Sequence, residues 1–286
     1  MDLSIIILNY KSRGLLKECL RAIRWARPQL SLEIIVVDNA SGDGTPEMVR
    51  REFPDVRLIE SDRNRGYAGG NNLGIRAATG RYAMIMNPDI IVNEGSLEGL
   101  VAHLDAHPEI GLIAPKLTNP DRSLQYSCYR FPTLGIPFYR RTPIGRLPFA
   151  RRAEAHYLMT DADRSAPLEV DWLLGGAVVA RREALERVGL LDERFFLYFD
   201  DVDWSRRFWE AGWKVVYLPS VSMVHFHQRA SAEARWWAIM GSKTGRIHLL
   251  SAAKYFSKYR GQPNPRLSTT TDYGLPTTAR AVDRSL

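Results

Sequence analysis

The chain has 286 residues, is 45% hydrophobic and carries a formal net charge of +7. That composition supports one large core or two tightly packed halves, and it excludes a disordered or collagen-like chain. No stretch approaches the ~20 apolar residues of a bilayer span, and the two cysteines, Cys19 and Cys128, lack CxxC spacing, which argues against a disulfide or zinc framework and for a reducing, cytoplasmic setting.

The opening "LSIIILNY" (3–10) reads as a buried strand rather than a signal peptide, since no basic region or small-residue cleavage site accompanies it. Leu15, Leu16, Cys19, Leu20 and Ile23 then recur at helical spacing. "LEIIVVDN" (32–39) is a second strand, followed by the turn "ASGDG" and a helix opened by Thr45 with Pro46 at its first position. A strand at 56–61, a Gly/Asn-rich turn, a helix over about 68–78, and a strand "RYAMIMNPD" (81–89) ending at a proline come next. "SLEGLVAHLDAHP" continues as a helix and "IGLIAPKL" as a strand. Strands alternating with helices predict parallel βαβ units in an open, Rossmann-like, mostly parallel α/β sheet over residues 1–115.

The later part is less regular. Residues 127–168, rich in Pro, Arg and aromatics, read as a long loop or lid within an acceptor-side half spanning 116–228. "EVDWLLGGAVVARREALERVG" gives a strand and then a helix from about Arg181; "DVDWSRRFWEAG" is a helix stopped at Gly212, and "WKVVYLPSVSMVHFH" one or two strands. A basic amphipathic helix within 229–258, bearing Trp236 and Trp237, precedes a tail at 259–286 expected to be disordered.

Ligands in such sheets bind beyond the carboxyl ends of the strands. Three predicted strands end there in polar residues: Asn9 and Tyr10, Asp38 and Asn39, and Asn87 with Asp89. Each alone is an ordinary turn; three on one edge point to a site. The glycines of "NRGYAGGNNLG" do not form G-x-G-x-x-G, so a dinucleotide fingerprint fails on spacing, while the start of the following helix remains available to a diphosphate. One carboxylate at "MNPDI" with a diphosphate and waters suits Mg2+ or Mn2+, and "VHFH" places His225 and His227 on one face of a strand. In "FFLYFDDVDW" an aspartate can cap a helix, yet carboxylates beside an apolar run are also placed to have a raised pKa and act as a general base.

In order and spacing, "SIIILNYKS", "IIVVDNASGDGT", "NRGYAGGNNLGI", "GRYAMIMNPD", the long stretch from "VDWLLGGAVV" to "WKVVYLP", and "VHFH" resemble the family 2 glycosyltransferases with the GT-A fold, particularly the rhamnosyltransferase-like branch of bacterial cell-surface polysaccharide synthesis. The resemblance implies an inverting transfer of a sugar, L-rhamnose from dTDP-rhamnose first and a UDP-linked hexose as the alternative, to a glycan or polyprenyl-diphosphate-linked hydroxyl. Carried over residue by residue, Asp38 contacts the pyrimidine; Asn9, Tyr10 and Asn39 line the nucleotide pocket; Asn72 lies near the diphosphate-sugar; and Arg65, Gly66 and Asn87 belong to the same nucleotide-sugar site. Asp89 is the last acid of the family's D-x-D metal motif, with Asn87 replacing the first, and His225 is the metal-associated histidine. Asp201 matches the base; Asp200, Trp172, Gly175 and Gly176 fall on the acceptor side.

Charge is uneven. Residues 127–152 hold six arginines and no acid, and residues 229–261 seven Lys/Arg against one Glu, which suggests contact with an anionic surface, the inner face of the cytoplasmic membrane. A nucleotidyltransferase is disfavoured by the lack of a glycine-rich phosphate loop at the first strand. A nucleic-acid partner is disfavoured by the acidic edge Asp38, Asp89, Asp200 and Asp201 and the lack of a binding signature.

Overall fold

The computed structural model describes residues 1–140, 142–226 and 242–269. Strands β1 (Leu3–Asn9), β2 (Leu32–Asp38), β3 (Arg57–Glu60) and β4 (Tyr82–Met86) lie parallel in the order β3-β2-β1-β4. Their crossovers are α1 (Arg13–Trp25), α2 (Thr45–Glu52) and α3 (Gly66–Ala77). Then come β5 (Ile90–Val92), α4 (Ser96–Ala106), β6 (Ile110–Thr118), and the short β7 (Leu124–Gln125) and β8 (Cys128–Tyr129). The excursion expected as a bare loop instead contains α5 (Ile136–Tyr139), a 3-10 turn (Pro143–Arg146) and α6 (Pro148–Tyr157). β9 (Leu168–Glu169), β10 (Trp172–Leu173), β11 (Ala177–Arg181), α7 (Arg182–Val188), α8 (Asp200–Glu210) and β12 (Lys214–His225) follow. Two helices follow, α9 (Lys243–Lys258) and α10 (Pro265–Thr269).

The sheet runs β3-β2-β1-β4-β11-β6-β12-β5, with β11 antiparallel to both neighbours and β5 antiparallel to β12. These two reversals matter for the site. Because β11 starts where β4 ends, pairing Ala177 with Met86, the preceding Gly175 and Gly176 arrive at the carboxyl edge. Because His225 pairs with Ile90, the end of β12 arrives there too.

Side chains of β1 alternate between two buried layers: Leu3, Ile5 and Ile7 meet α1, α2 and α4, while Ile6 and Leu8 meet α3 and, farther along, α7 and α8. The predicted α1 stripe is buried at Leu16, Cys19, Leu20 and Ile23, and a buried aliphatic side chain contributes about 1.5–3 kcal/mol. On the other face α3 presents Gly70 and Gly74 to β1; a Cβ there would stand 2.3 Å from Leu8 Cδ1 and 2.3 Å from Ile6 Cγ2 respectively. These glycines exist for close helix-strand approach.

A third cluster joins Tyr129, Ile136, Tyr157 and Trp172 to Phe195, Phe199, Val202, Tyr255 and Tyr259, so the excursion, α8 and α9 share one core. The chain does not dissolve into a tail at 259: Tyr259 is buried, and Arg266 pairs with Asp171 at 3.0 Å. His227, Trp236, Trp237 and residues 270–286 lie outside the described residues.

Candidate active site

At the carboxyl edge Asn9 and Asp38 are paired in register. Asn9 Nδ2 lies 3.2 Å from Asp38 Oδ1, 3.1 Å from Ser41 Oγ and 3.1 Å from Thr45 Oγ1, and Ser41 N donates to Asp38 Oδ2 at 3.1 Å. Asn9 Oδ1 is buried and has no hydrogen-bond partner among the described residues. Tyr10 beside them is 44% exposed. The edge is thus a preformed polar cradle flanked by an exposed ring.

Two residues expected at the donor are spent on the fold. Asn39 donates to Asn64 Oδ1 and Gly66 O and accepts from Arg65 N, tying β2 to the start of α3. Asn72 donates to Leu191 O at 2.9 Å and Glu193 Oε1 at 3.0 Å and accepts from Leu191 N at 3.1 Å. These bonds clip α3 to the segment before α8. Arg65 is held by Asp62 and Ser61. Two N–H groups at the start of α3 are already engaged by the protein. Gly66 N donates to Asn64 Oδ1 at 2.9 Å, and Tyr67 N donates to Phe196 O at 2.7 Å. Gly66 has φ +72°, and a Cβ on it would sit 2.2 Å from Phe196 O; only glycine lets the aromatic run dock there.

That docking sets up the acids. Tyr198 and Phe199 both adopt left-handed backbone, φ 67° and 64°, uncommon for bulky residues and costly by about 1–3 kcal/mol each. The N-cap of α8 is Phe199, not an aspartate, and Asp200, Asp201 and Asp203 all fall in its first turn. Asp201 Oδ2 accepts from Gly175 N at 3.2 Å and Oδ1 from Val202 N at 2.9 Å. Loss of solvent pushes Asp201 up to about 6 despite those bonds. Asp200, 3% exposed, is pushed well above the carboxylate range by burial and by Asp201's charge. The two carboxyls titrate as a pair, and burial together with their mutual repulsion disfavours ionising both at once.

Tyr67 links the two halves. Its hydroxyl donates to Gly175 O, the residue whose N–H holds Asp201. Burial raises its phenol well above the usual range, and the charges of Asp200, Asp201 and Asp89 raise it further. Sequence reasoning passed over it; the signal was an aromatic carrying a hydroxyl inside the glycine-rich motif.

Asp89 and His225 meet across β5 and β12, with Nε2 and Oδ1 3.2 Å apart. His225 is buried, and its Nδ1 lies 2.9 Å from Gln125 Oε1. Asp89 Oδ1, although that close, accepts no hydrogen bond among the described residues. Asn87 N donates to Gly176 O at 2.9 Å, which fixes Asn87 beside this pair. A buried carboxylate oxygen without a donor, facing an imidazole nitrogen, is a donor set that fits a divalent cation. Among the described residues no group of three or more His, Cys, Asp or Glu forms a closed metal site, so the remaining ligands would come from substrate and water.

A model of glycosyl transferase family 2 matches residues 4–189. The chain belongs to this family. Among its relatives, N-acetylglucosaminyl-diphospho-decaprenol L-rhamnosyltransferase of Mycobacterium tuberculosis is 30% identical over 248 residues, 78% of this chain and 75% of that protein. The low-salt glycan biosynthesis hexosyltransferase Agl10 of Haloferax volcanii is 29% identical over 210 residues, 72% of this chain and 61% of its own length. Among solved structures, the mannosyltransferase PcManGT of Pyrobaculum calidifontis, in complex with GDP-Man and Mn2+, superposes with a TM-score of 0.61 and 25% identity over 93% of this chain and 67% of that one. The mostly parallel sheet is therefore a GT-A fold, and the chain is a glycosyltransferase.

Within this glycosyltransferase Trp172 is a packing residue: it is buried, stacks on Tyr129 at 4.4 Å and donates to Arg130 O at 3.0 Å. Asp203 is fully buried and accepts from Arg207, Lys258 and Tyr259. Ser251 Oγ donates to Leu197 O at 2.9 Å and Lys254 Nζ to Arg194 O at 2.7 Å. α9 thus clamps both α8 and the segment that leads into Asp201.

Proposed function

We propose that this family 2 glycosyltransferase moves a sugar, L-rhamnose from dTDP-rhamnose as first choice, to a hydroxyl of a glycan or polyprenyl-diphosphate-linked acceptor in cell-surface polysaccharide synthesis, at the inner face of the cytoplasmic membrane. The observation that carries the reading is the Asp200–Asp201 pair at the sheet edge, with Asp201 raised to about 6 and aimed by Gly175. A base poised near the working pH removes a proton effectively when a hydroxyl attacks. The choice of rhamnose and of a lipid-linked acceptor leans on the name of the mycobacterial relative.

In this reading Asp201 takes the acceptor hydroxyl's proton as its oxygen bonds to the anomeric carbon. The carbon–oxygen bond to the nucleoside diphosphate breaks on the opposite face, inverting the centre. Asp200 orients the acceptor beside the base. Asn9 and Asp38 receive the pyrimidine, with Tyr10 beside it. Asp89 and His225 would hold a divalent cation, Mg2+ or Mn2+, whose charge stabilises the leaving diphosphate.

The test is a donor screen by slow hydrolysis and thermal shift, with and without Mn2+, comparing dTDP-rhamnose, UDP-glucose and UDP-galactose on wild type and Asp201→Asn. A dTDP-rhamnose response with transfer lost in the variant is expected. A response to UDP-hexoses alone reassigns the donor; full transfer by Asp201→Asn overturns the base.

A further inference from the structure

The excursion between β8 and β9 carries a surface that the transfer chemistry does not use. Residues 133–152 contain five arginines and no acid. Within the same segment Leu134, Phe138, Ile144, Leu147 and Phe149 face water, with Leu134 76%, Phe149 56% and Phe138 52% exposed. Single exposed apolar side chains are ordinary, but such a concentration marks an interaction site. Arg146, Arg151 and Arg152 are exposed among them, and no acid pairs with these three among the described residues.

The projection has a defined shape. Ile136 and Ala150 anchor it in the interior, Tyr139 and Phe149 meet edge-on at 5.7 Å, and Arg140 pairs with Glu154 at 3.3 Å. Its base is built into the acceptor side: Arg130 N donates to Tyr157 O at 3.0 Å, and Ile136 shares a core with Phe199 and Val202, the residues flanking Asp200 and Asp201. Whatever the projection touches is therefore held at a fixed distance from the base.

We propose that this projection docks on an anionic lipid bilayer, its apolar side chains entering the interface and its arginines meeting headgroup phosphates. Both halves of the surface are then satisfied: apolar area leaves water, and unpaired guanidinium groups gain anions. A polynucleotide would satisfy the arginines and leave the apolar side chains in water. The inference rests on the proposed lipid-linked acceptor for its purpose, but binding is measured without turnover, so the two readings fail separately.

The experiment is cosedimentation of the full chain with vesicles of phosphatidylcholine alone or mixed in equal parts with phosphatidylglycerol, at low and high salt. Two variants with unchanged melting temperature accompany it, Phe138→Ser/Phe149→Ser and Arg151→Ala/Arg152→Ala, together with retention on a double-stranded oligonucleotide. Wild type should bind the anionic vesicles, and less so at high salt. The arginine variant should lose on the order of twentyfold in partitioning, about fivefold per charge, and the phenylalanine variant at least tenfold at either salt. Failure of wild type to bind anionic vesicles overturns the proposal. So does wild-type binding by the phenylalanine variant, or retention on the oligonucleotide with no vesicle binding. Vesicle binding with no response to any donor would leave the docking surface standing and remove the proposed donor assignment.

Discussion

Asp201→Asn should do two opposite things, because the proposed base burdens the fold. The rise from 3.8 to about 6 corresponds to about 3 kcal/mol against the ionised form. Asp201 holds its proton more tightly folded than unfolded. Its contribution to stability is therefore full below about pH 4 and is lost as pH rises through about 6. Asparagine cannot ionise, and its one carbonyl oxygen keeps the bond from Gly175 N while the bond from Val202 N is lost, an offset of about 1 kcal/mol. The variant should be about 1 kcal/mol less stable than wild type near pH 4 and about 2 kcal/mol more stable above pH 6, a few degrees in melting temperature. Removing Asp201's charge also relieves Asp200, which acts in the same direction. Transfer should meanwhile fall by about 10²–10⁴, and the wild-type pH–rate profile should show an acid limb near 6. Urea titrations at the two pH extremes and a transfer assay measure both. A variant less stable than wild type at alkaline pH, or a wild-type limb at the ordinary carboxylate value, would refute the desolvated-base argument.

Tyr67→Phe removes the hydroxyl that holds Gly175 O; it should cost about 1 kcal/mol in stability and lower kcat more than it raises KM, and an unchanged kcat would show that Gly175 needs no such support. Lys258→Met leaves fully buried Asp203 with Arg207 and Tyr259 only, so unfolding should come about 2 kcal/mol earlier, partly restored by adding Asp203→Asn. Asp89→Asn and His225→Ala should each abolish a Mn2+-dependent rise in melting temperature measured with a nucleoside diphosphate, which for wild type reaches about 2.7 kcal/mol at a hundredfold excess over Kd. An undiminished rise in both variants would move the cation elsewhere.

The regular half of this fold is legible because its signals are local. The αβ alternation, the α1 stripe, and the edge formed by Asn9, Asp38 and Asp89 all follow from periodicity and the strand-end rule. What sequence pattern cannot carry is pairing direction: β11 reads as one more strand, yet it runs antiparallel, and that reversal delivers Gly175 and Gly176 to the site. The structural bonds of Asn39 and Asn72 were hidden for a related reason: their partners, Gly66 in one case and Leu191 in the other, lie far away in sequence. The order of residues 259–269 was hidden because its anchors, Asp171 and Asp203, lie far away in sequence.

The proposed base lies outside the stretch that the family model matches, which ends at residue 189. What returns it to the matched half is a short physical chain. Phe196 O receives Tyr67 N at the glycine that opens α3; Tyr67 hydroxyl holds Gly175 O; and Gly175 N holds Asp201. From the other side α9 pins Leu197, Arg194 and Asp203. Two successive left-handed aromatic residues are tolerated between those clamps, since strain of that size persists only where the surroundings over-determine it. "FFLYFDDVDW" is therefore no free-standing motif: its aromatics are the means by which α3 and α9 together fix one carboxylate.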